Sequence, residues 1–118
     1  MHELSIAQNI LEIVRQYVPD GRRVKAVRVA VGLLAGVVPD SLDFCFGVAA
    51  GGTPFESARL DIDEIPIRAL CRSCRSEFPV EHFAFACSCC GGVDLDMLSG
   101  TELKVVEIEL VDPAPEAP

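Results

Sequence analysis

Six cysteines in a chain of 118 residues are the side chains whose spacing most directly indicates chemistry. Four of them form two short pairs, in the stretches Cys71-Arg-Ser-Cys74 and Cys87-Ser-Cys89-Cys90. Two residues between cysteines let both sulfurs of a tight turn face one ion, and a second such turn completes a tetrahedral set of thiolates. The sequence therefore predicts a closed, structural zinc site whose ligands are Cys71, Cys74, Cys87 and Cys90.

The second pair leaves a choice, because Cys89 stands between the two predicted ligands. Cys87 and Cys90 have the two-residue gap, and Gly91 follows where such a turn needs a permissive backbone. Cys89 is interpreted as a free thiol near the metal, and Cys45 as a small core residue. Iron would fit the same four sulfurs, but zinc is the commoner occupant of such paired turns.

The amino terminus offers a second set of donors in Met1-His2-Glu3. The terminal amine of Met1, the backbone nitrogen of His2 and its imidazole can surround one metal once the amide has lost its proton. Three nitrogens in one plane suit nickel(II) or copper(II), whereas zinc prefers a tetrahedral arrangement. Glu3 would add an oxygen. A frayed terminus is the alternative interpretation, because any chain that begins with Met-His has these donors.

Apolar periodicity predicts the elements that must position these donors. Apolar residues recur on one side of a helical wheel between Leu4 and Val18, which indicates an amphipathic helix that starts almost at the terminus. A second helix is predicted from Pro39 to the turn at Gly51-Gly52. Alternating apolar residues predict three strands, which lie near residues 27–31, 60–62 and 102–110.

Together these elements predict an α+β fold with a small three-stranded sheet, two helices and an inserted zinc-ribbon-like domain. Residues 67–99 form the predicted zinc-binding domain, because they hold five of the six cysteines and few periodic apolar positions. Residues 1–66 and 100–118 form a discontinuous nickel-binding α/β domain. If the last strand returns beside the second, both ends of the insertion lie close together. The Pro-rich segment 112–118 is expected to be disordered.

Composition narrows the classes of function. The formal net charge of −8 argues against a phosphate-binding surface, so nucleic acid is not an expected partner. No stretch approaches the roughly 18 apolar residues of a membrane helix, and the start lacks the features of a signal peptide. For these reasons we expect a cytoplasmic protein. In that reducing compartment, clustered cysteines are expected to bind metal rather than form disulfides. A closed metal site and the lack of a catalytic triad or phosphate loop argue against an enzyme.

Three separated motifs together resemble the HypA/HybF family of hydrogenase maturation proteins. The motifs are the start Met1-His2-Glu3-Leu4-Ser5, the two cysteine pairs with Gly91, and the closing segments Ser99-Gly100-Thr101-Glu102-Leu103 and Val106-Glu107-Ile108-Glu109. The resemblance covers nearly the whole chain apart from its Pro-rich end. Ser88-Cys89 departs from the family pattern, which often has a proline and a non-cysteine residue there.

The resemblance implies a metallochaperone that carries nickel(II) to nickel-iron hydrogenase, and in some organisms to urease. It implies that His2 is the essential nickel ligand, assisted by Met1 and Glu3, and that zinc(II) is structural. Asp40 or Asp43 is a further candidate oxygen donor, although a solvated helix surface is the simpler role. The implied partners are an accessory GTPase, HypB, and the hydrogenase large subunit, and a homodimer is left open.

The runner-up belongs to another class of function, a zinc-ribbon module that recruits a protein or nucleic acid and transfers no nickel. Arg68, Arg72 and Arg75 surround the first cysteine pair and would be its phosphate contacts. A solvated basic edge is the simpler explanation, because no aromatic residues are interleaved with these arginines. Salt-sensitive DNA binding would favour the interaction module.

Overall fold

A computed structural model describes residues 2–112 of the chain. Its elements in chain order are α1 (Glu3–Tyr17), β1 (Val24–Gly32), α2 (Pro39–Ala50), β2 (Arg59–Ile65), β3 (Arg68–Cys71), β4 (Glu77–Pro79), β5 (Leu95–Ser99) and β6 (Leu103–Leu110). The strands form two three-stranded sheets, ordered β2-β1-β6 and β4-β3-β5. The predicted α+β class, with two helices and a small sheet, is confirmed. The prediction of disorder at 112–118 lies outside the described residues, except at Asp112.

The chain divides into two compact units. Within the described residues, the first unit consists of the stretch up to Val29, of Val37–Ile62 and of the stretch from Lys104 onward. The second unit consists of Ala30–Gly36 and Asp63–Leu103. The second unit contains all four predicted zinc ligands. The predicted domain boundaries at residues 67 and 99 stay a prediction.

In the first unit, α1 packs against α2 through the apolar side of each helix. The buried residues are Ile6, Ala7, Ile10, Leu11 and Val14 in α1, and Leu42, Phe46 and Ala50 in α2. Their spacing of three and four residues places each set on one face of its helix. Leu4, Ile13 and Tyr17 are exposed, so α1 buries a narrower stripe than the helical wheel predicted. No helix within residues 2–112 is both long and apolar enough to span a bilayer.

β1 is the central strand of its sheet. Seven of its nine residues are buried, whereas β2 and β6 are mostly half-buried or exposed. The arrangement considered for the sequence, in which the last strand returns beside the second, does not occur, because β6 lies beside β1. An alternating pattern shows that one face of a strand is covered, but it does not identify the neighbouring strand.

In the second unit, two glycines allow a close backbone approach. The amide of Gly32 donates to the carbonyl of Glu102 (2.7 Å), and that of Leu34 donates to the carbonyl of Gly100 (2.7 Å). A Cβ on Gly32 would overlap the carbonyl group of Gly100. Gly100 has φ of +108°, and a Cβ there would lie 2.9 Å from Cγ1 of Ile67. Only glycine fits at both positions.

The two ends of the cysteine-containing segment lie side by side. The Ser99 hydroxyl donates to the carbonyl of Pro66 (2.7 Å). Ser99 is also the register partner of Arg68, where β5 pairs with β3 in antiparallel orientation. The first and last residues of the segment 67–99 therefore lie close together.

Replacing Gly32 with alanine should lower the free energy of unfolding by about 2 kcal/mol or more, because the backbone at Gly100 must move. Urea denaturation of the metal-loaded protein measures this change. Gly47→Ala in α2 is the control, because a Cβ at Gly47 meets no atom within 4 Å. Its stability should be unchanged or higher by up to about 1 kcal/mol. Equal effects of both substitutions would contradict the steric argument.

Candidate metal centre

Two predicted zinc ligands belong to the hydrophobic core of the second unit. The core consists of Ile67, Ala69, Cys71, Phe78, Val80 and Cys87, with Leu34 and Leu95 packed against it. These two predicted ligands therefore also supply buried apolar surface. A core this small cannot offset the conformational entropy of the segment unaided, so a bound ion would contribute directly to folding.

The first cysteine pair lies on the turn that follows β3. The amide of Cys71 donates to the carbonyl of Ser76 (2.9 Å), and the amide of Arg75 donates to the carbonyl of Cys71 (2.8 Å). Arg75 has φ of 67°, in the left-handed region that reverses the chain. The turn therefore carries Cys74 back toward Cys71.

The second cysteine pair lies on a turn of similar design. The amide of Cys87 donates to the carbonyl of Gly92 (2.8 Å), and the amide of Gly91 donates to the carbonyl of Cys87 (2.9 Å). Gly91 has φ of +74°, which accounts for the need for glycine after Cys90. Both turns direct their sulfurs to one point.

The four predicted ligand sulfurs all lie within 4.8 Å of one another. The Sγ atoms of Cys71 and Cys90 are 3.6 Å apart, and those of Cys74 and Cys87 are 3.5 Å apart. Bonds of about 2.3 Å to a tetrahedral ion would separate two sulfurs by about 3.8 Å, whereas a disulfide requires about 2.0 Å. The donor set therefore fits a tetrahedral ion such as zinc. Within residues 2–112, no other such cluster of metal-binding side chains occurs.

Backbone amides stabilise negative charge on the second pair. The sulfur of Cys87 accepts hydrogen bonds from the amides of Cys89 (3.3 Å) and Cys90 (3.4 Å). The sulfur of Cys90 accepts one from the amide of Gly92 (3.4 Å). Hydrogen-bond donors favour the thiolate over the thiol, which is the form that binds metal.

The thiols differ in how readily they lose their protons. Hydrogen bonds with the side chain and then the backbone of Ser76 lower the pKa of Cys74 to about 6. The amide of Gly92 lowers the pKa of Cys90, but hydrogen bonds with the other three cysteines raise it, to about 12 overall. Four adjacent thiols therefore cannot all ionise at neutral pH without a cation. Metal binding must release protons, and acid must weaken it.

Arg72 joins the first turn to the beginning of β5. Its Nε donates to Asp96 (2.9 Å), one terminal nitrogen donates to Asp94 (3.2 Å), and the other also contacts Asp96. Its backbone amide donates to the carbonyl of Asp94 (3.0 Å). The two carboxylates therefore occupy the Arg72 guanidinium, which the zinc-ribbon interaction module would need for contact with phosphate.

The two remaining cysteines lie outside the four-sulfur cluster. Cys89 is exposed, and Cys45 is half-buried in α2. The four cysteines with two-residue spacing thus cluster without Cys89, and their role as zinc ligands stays a prediction.

The predicted nickel ligands lie at the start of α1, and Met1 is outside the described residues. His2 is exposed and has an extended backbone, and its carbonyl accepts the first helical hydrogen bond, from the amide of Ile6 (3.2 Å). Its side chain does not cap the helix. Glu3 is half-buried in the first turn. The structure thus leaves the His2 imidazole accessible, and its role in binding nickel stays a prediction.

Asp40 and Asp43 both lie in the first half of α2 and are exposed. Neither carboxylate forms an ion pair with another residue of the described part of the chain. Their proposed contact with nickel also stays a prediction.

Comparison with known proteins identifies the family. Residues 1–110 match the family model described as HypA, the hydrogenase/urease nickel incorporation metallochaperone. This chain belongs to the HypA family. The hydrogenase maturation factor HypA of Desulfatibacillum aliphaticivorans is 45% identical over 116 residues, which cover 96% of this chain and 89% of that protein. The HypA of Geobacter sulfurreducens is 43% identical over 110 residues, covering 93% and 99%.

Solved structures of HypA proteins share the fold. The solution structure of the nickel metallochaperone HypA from Helicobacter pylori gives a TM-score of 0.68 at 17% identity and covers 96% of this chain and all of that one. A second HypA solution structure gives 0.61 at 16% identity and covers 92% of each chain. The resemblance inferred from three motifs is confirmed, and the family consists of maturation factors rather than enzymes.

Cys71→Ser should remove most of the bound zinc and destabilise the second unit, because it deletes a ligand that is also a core residue. Cys89→Ser is the matched control, since Cys89 lies one residue from a ligand but outside the cluster. Zinc per chain, measured by elemental analysis, should stay near one in the control and fall well below one in Cys71→Ser. Zinc loss in Cys89→Ser alone would contradict the assigned ligands.

Proposed function

We propose that this chain binds one nickel(II) at its amino terminus and delivers it to apo nickel-iron hydrogenase, and to urease where that enzyme is present. Membership of a nickel-incorporation family supports the choice of metal. The observation that carries the choice of site is the position of His2, which is exposed and directly precedes α1. Nickel is the cargo in this proposal.

The start of α1 is suited to nickel coordination through backbone nitrogen. The first amide to donate within the helix belongs to Ile6, so the helix leaves the amide of His2 without an intrahelical acceptor. That nitrogen can lose its proton and bind metal without breaking a helical hydrogen bond. With the amine of Met1 and the His2 imidazole, it supplies three nitrogens in the planar arrangement that nickel(II) favours.

The electrostatic field of α1 would limit the affinity of this site for nickel. The amino-terminal end of a helix carries partial positive charge, which disfavours a cation by about 0.3–1 kcal/mol. Glu3, in the first turn, opposes this effect with its carboxylate. A site with few ligands and moderate affinity can release nickel by ligand exchange with a partner. Asp40 or Asp43 is a candidate additional oxygen donor.

The cysteine site would hold a structural metal ion and would not transport one. We assign it a resident zinc(II), because four thiolates complete a tetrahedral shell and leave no position for a substrate. Its contribution is to organise the core to which Cys71 and Cys87 belong. The two metals would thus have separate tasks, one structural and one transported.

The proposed partners are those that the family resemblance implies, namely the GTPase HypB and the hydrogenase large subunit. The cytoplasm is the proposed compartment, since free thiols at the cysteine site require reducing conditions. A zinc-ribbon module without nickel transfer is the competing function. The ion pairs of Arg72 with Asp94 and Asp96 count against its phosphate-binding form.

His2→Ala should abolish high-affinity nickel binding and leave the zinc content unchanged. The chain has two histidines, so His82→Ala, in the exposed loop between the cysteine pairs, is the matched control. Isothermal titration of untagged, zinc-loaded protein with nickel(II) gives stoichiometry and affinity. Unchanged affinity in His2→Ala would refute the terminal site.

Acetylation of the terminal amine tests the other half of the site with His2 intact. Loss of one of three planar nitrogens should weaken nickel binding by at least about tenfold, which corresponds to about 1.4 kcal/mol. Loss of the absorption band of square-planar nickel(II) should accompany the change. Full affinity with a blocked amine would show that nickel binds elsewhere.

A further inference from the structure

The outward side of α2 is apolar although nothing in the described part of the chain covers it. Phe44 is 73% exposed and Val48 is 57% exposed. They lie four residues apart and therefore share one face, away from the buried Leu42 and Phe46. A helix with apolar residues on opposite sides is typical of one that is covered on both sides.

Gly47 lies on the same face, between these two side chains in sequence. A Cβ at this position would meet no atom within 4 Å, so packing within the chain does not require glycine. Glycine in a helix costs about 1 kcal/mol relative to alanine. Its small size does, however, let the backbone of another molecule come close beside Phe44.

Charge selects the kind of molecule that would cover this face. α2 carries Asp40 and Asp43 and contains no basic residue. A second copy of the chain would bring another net charge of −8, and the terminal segment 113–118 contains one Glu and no cation. Both are poor matches for two acidic side chains.

We infer that the α2 outer face, defined as Asp40, Phe44, Gly47 and Val48 with Asp43 at its flank, binds an apolar helix of a partner protein. That helix carries Lys or Arg at the end that meets the two carboxylates. The aromatic ring and Val48 supply the apolar contact, and Gly47 permits close helix approach. The inference rests on the proposed function in one respect, because it takes HypB as the partner to be tested.

The test measures binding of purified HypB from the same organism to the zinc-loaded chain by calorimetry. The variant Phe44→Gln with Val48→Gln keeps good helix formers on an exposed surface. The control is Tyr17→Gln, which removes an equally exposed aromatic residue from α1, since Tyr17 is also 73% exposed. The double variant should bind at least about tenfold more weakly, as loss of an aromatic contact at an interface centre predicts. The control should bind as the unchanged chain does.

The remaining outcomes separate this inference from the proposed function. Wild-type affinity in the double variant, or no binding of HypB by the unchanged chain, would overturn the inference. Sedimentation velocity adds a further check, because self-association that the double variant abolishes would mean that a second copy occupies the face instead. Nickel titration of the double variant tests the proposed function separately from these binding and sedimentation results. Only a defect in the terminal nickel site would change the nickel affinity. Weakening of the interaction by salt would support the assigned charge pairing.

Discussion

Convergence of four sulfurs on one point is the constraint on which the second unit depends. Cys71 and Cys87 are at once predicted zinc ligands and members of a core that has few other residues. In such a unit the free energy of metal binding is part of the free energy of folding. A bound ion would supply stability that a larger domain obtains from buried apolar area, and would help short strands and exposed turns to keep a defined shape.

The four-cysteine cluster and the start of α1 differ in how tightly the surrounding structure encloses them. Tight turns, amide hydrogen bonds to sulfur and the ion pairs of Arg72 all limit motion around the four cysteines. At the start of α1, by contrast, His2 is exposed and its side chain does not cap the helix. In the proposed function, retention of a structural ion and exchange of a transported one would thus depend on opposite degrees of enclosure.

Sequence reasoning predicted what depends on local spacing. The two helices, the four clustered cysteines and the permissive turn at Gly91 all follow from residues close together in the chain. The position of β6 beside β1 and the contact of Gly32 with Gly100 join distant segments, so no local pattern could reveal them. The strands β3 and β5 were missed because consecutive apolar residues, Ala69-Leu70-Cys71 and Met97-Leu98, interrupt the alternation, and β4 has only three residues. The exposure of Phe44 was also hidden, because α2 is apolar on both sides.

The strand order β2-β1-β6 also determines the order in which the strands can pair while the chain is being synthesised. Every pairing of β4-β3-β5 is complete once residue 99 has left the ribosome, whereas β1 must wait for Leu103–Leu110. Because Pro66 and Ser99 lie side by side in the folded segment, prior folding around the metal shortens the loop that β6 must close. Because the loop between β1 and β6 is about halved, the saving in loop entropy is about 0.6 kcal/mol. A nascent chain that lacks the metal would keep one edge of β1 unpaired for longer, at the stage when newly made strands are most prone to aggregate.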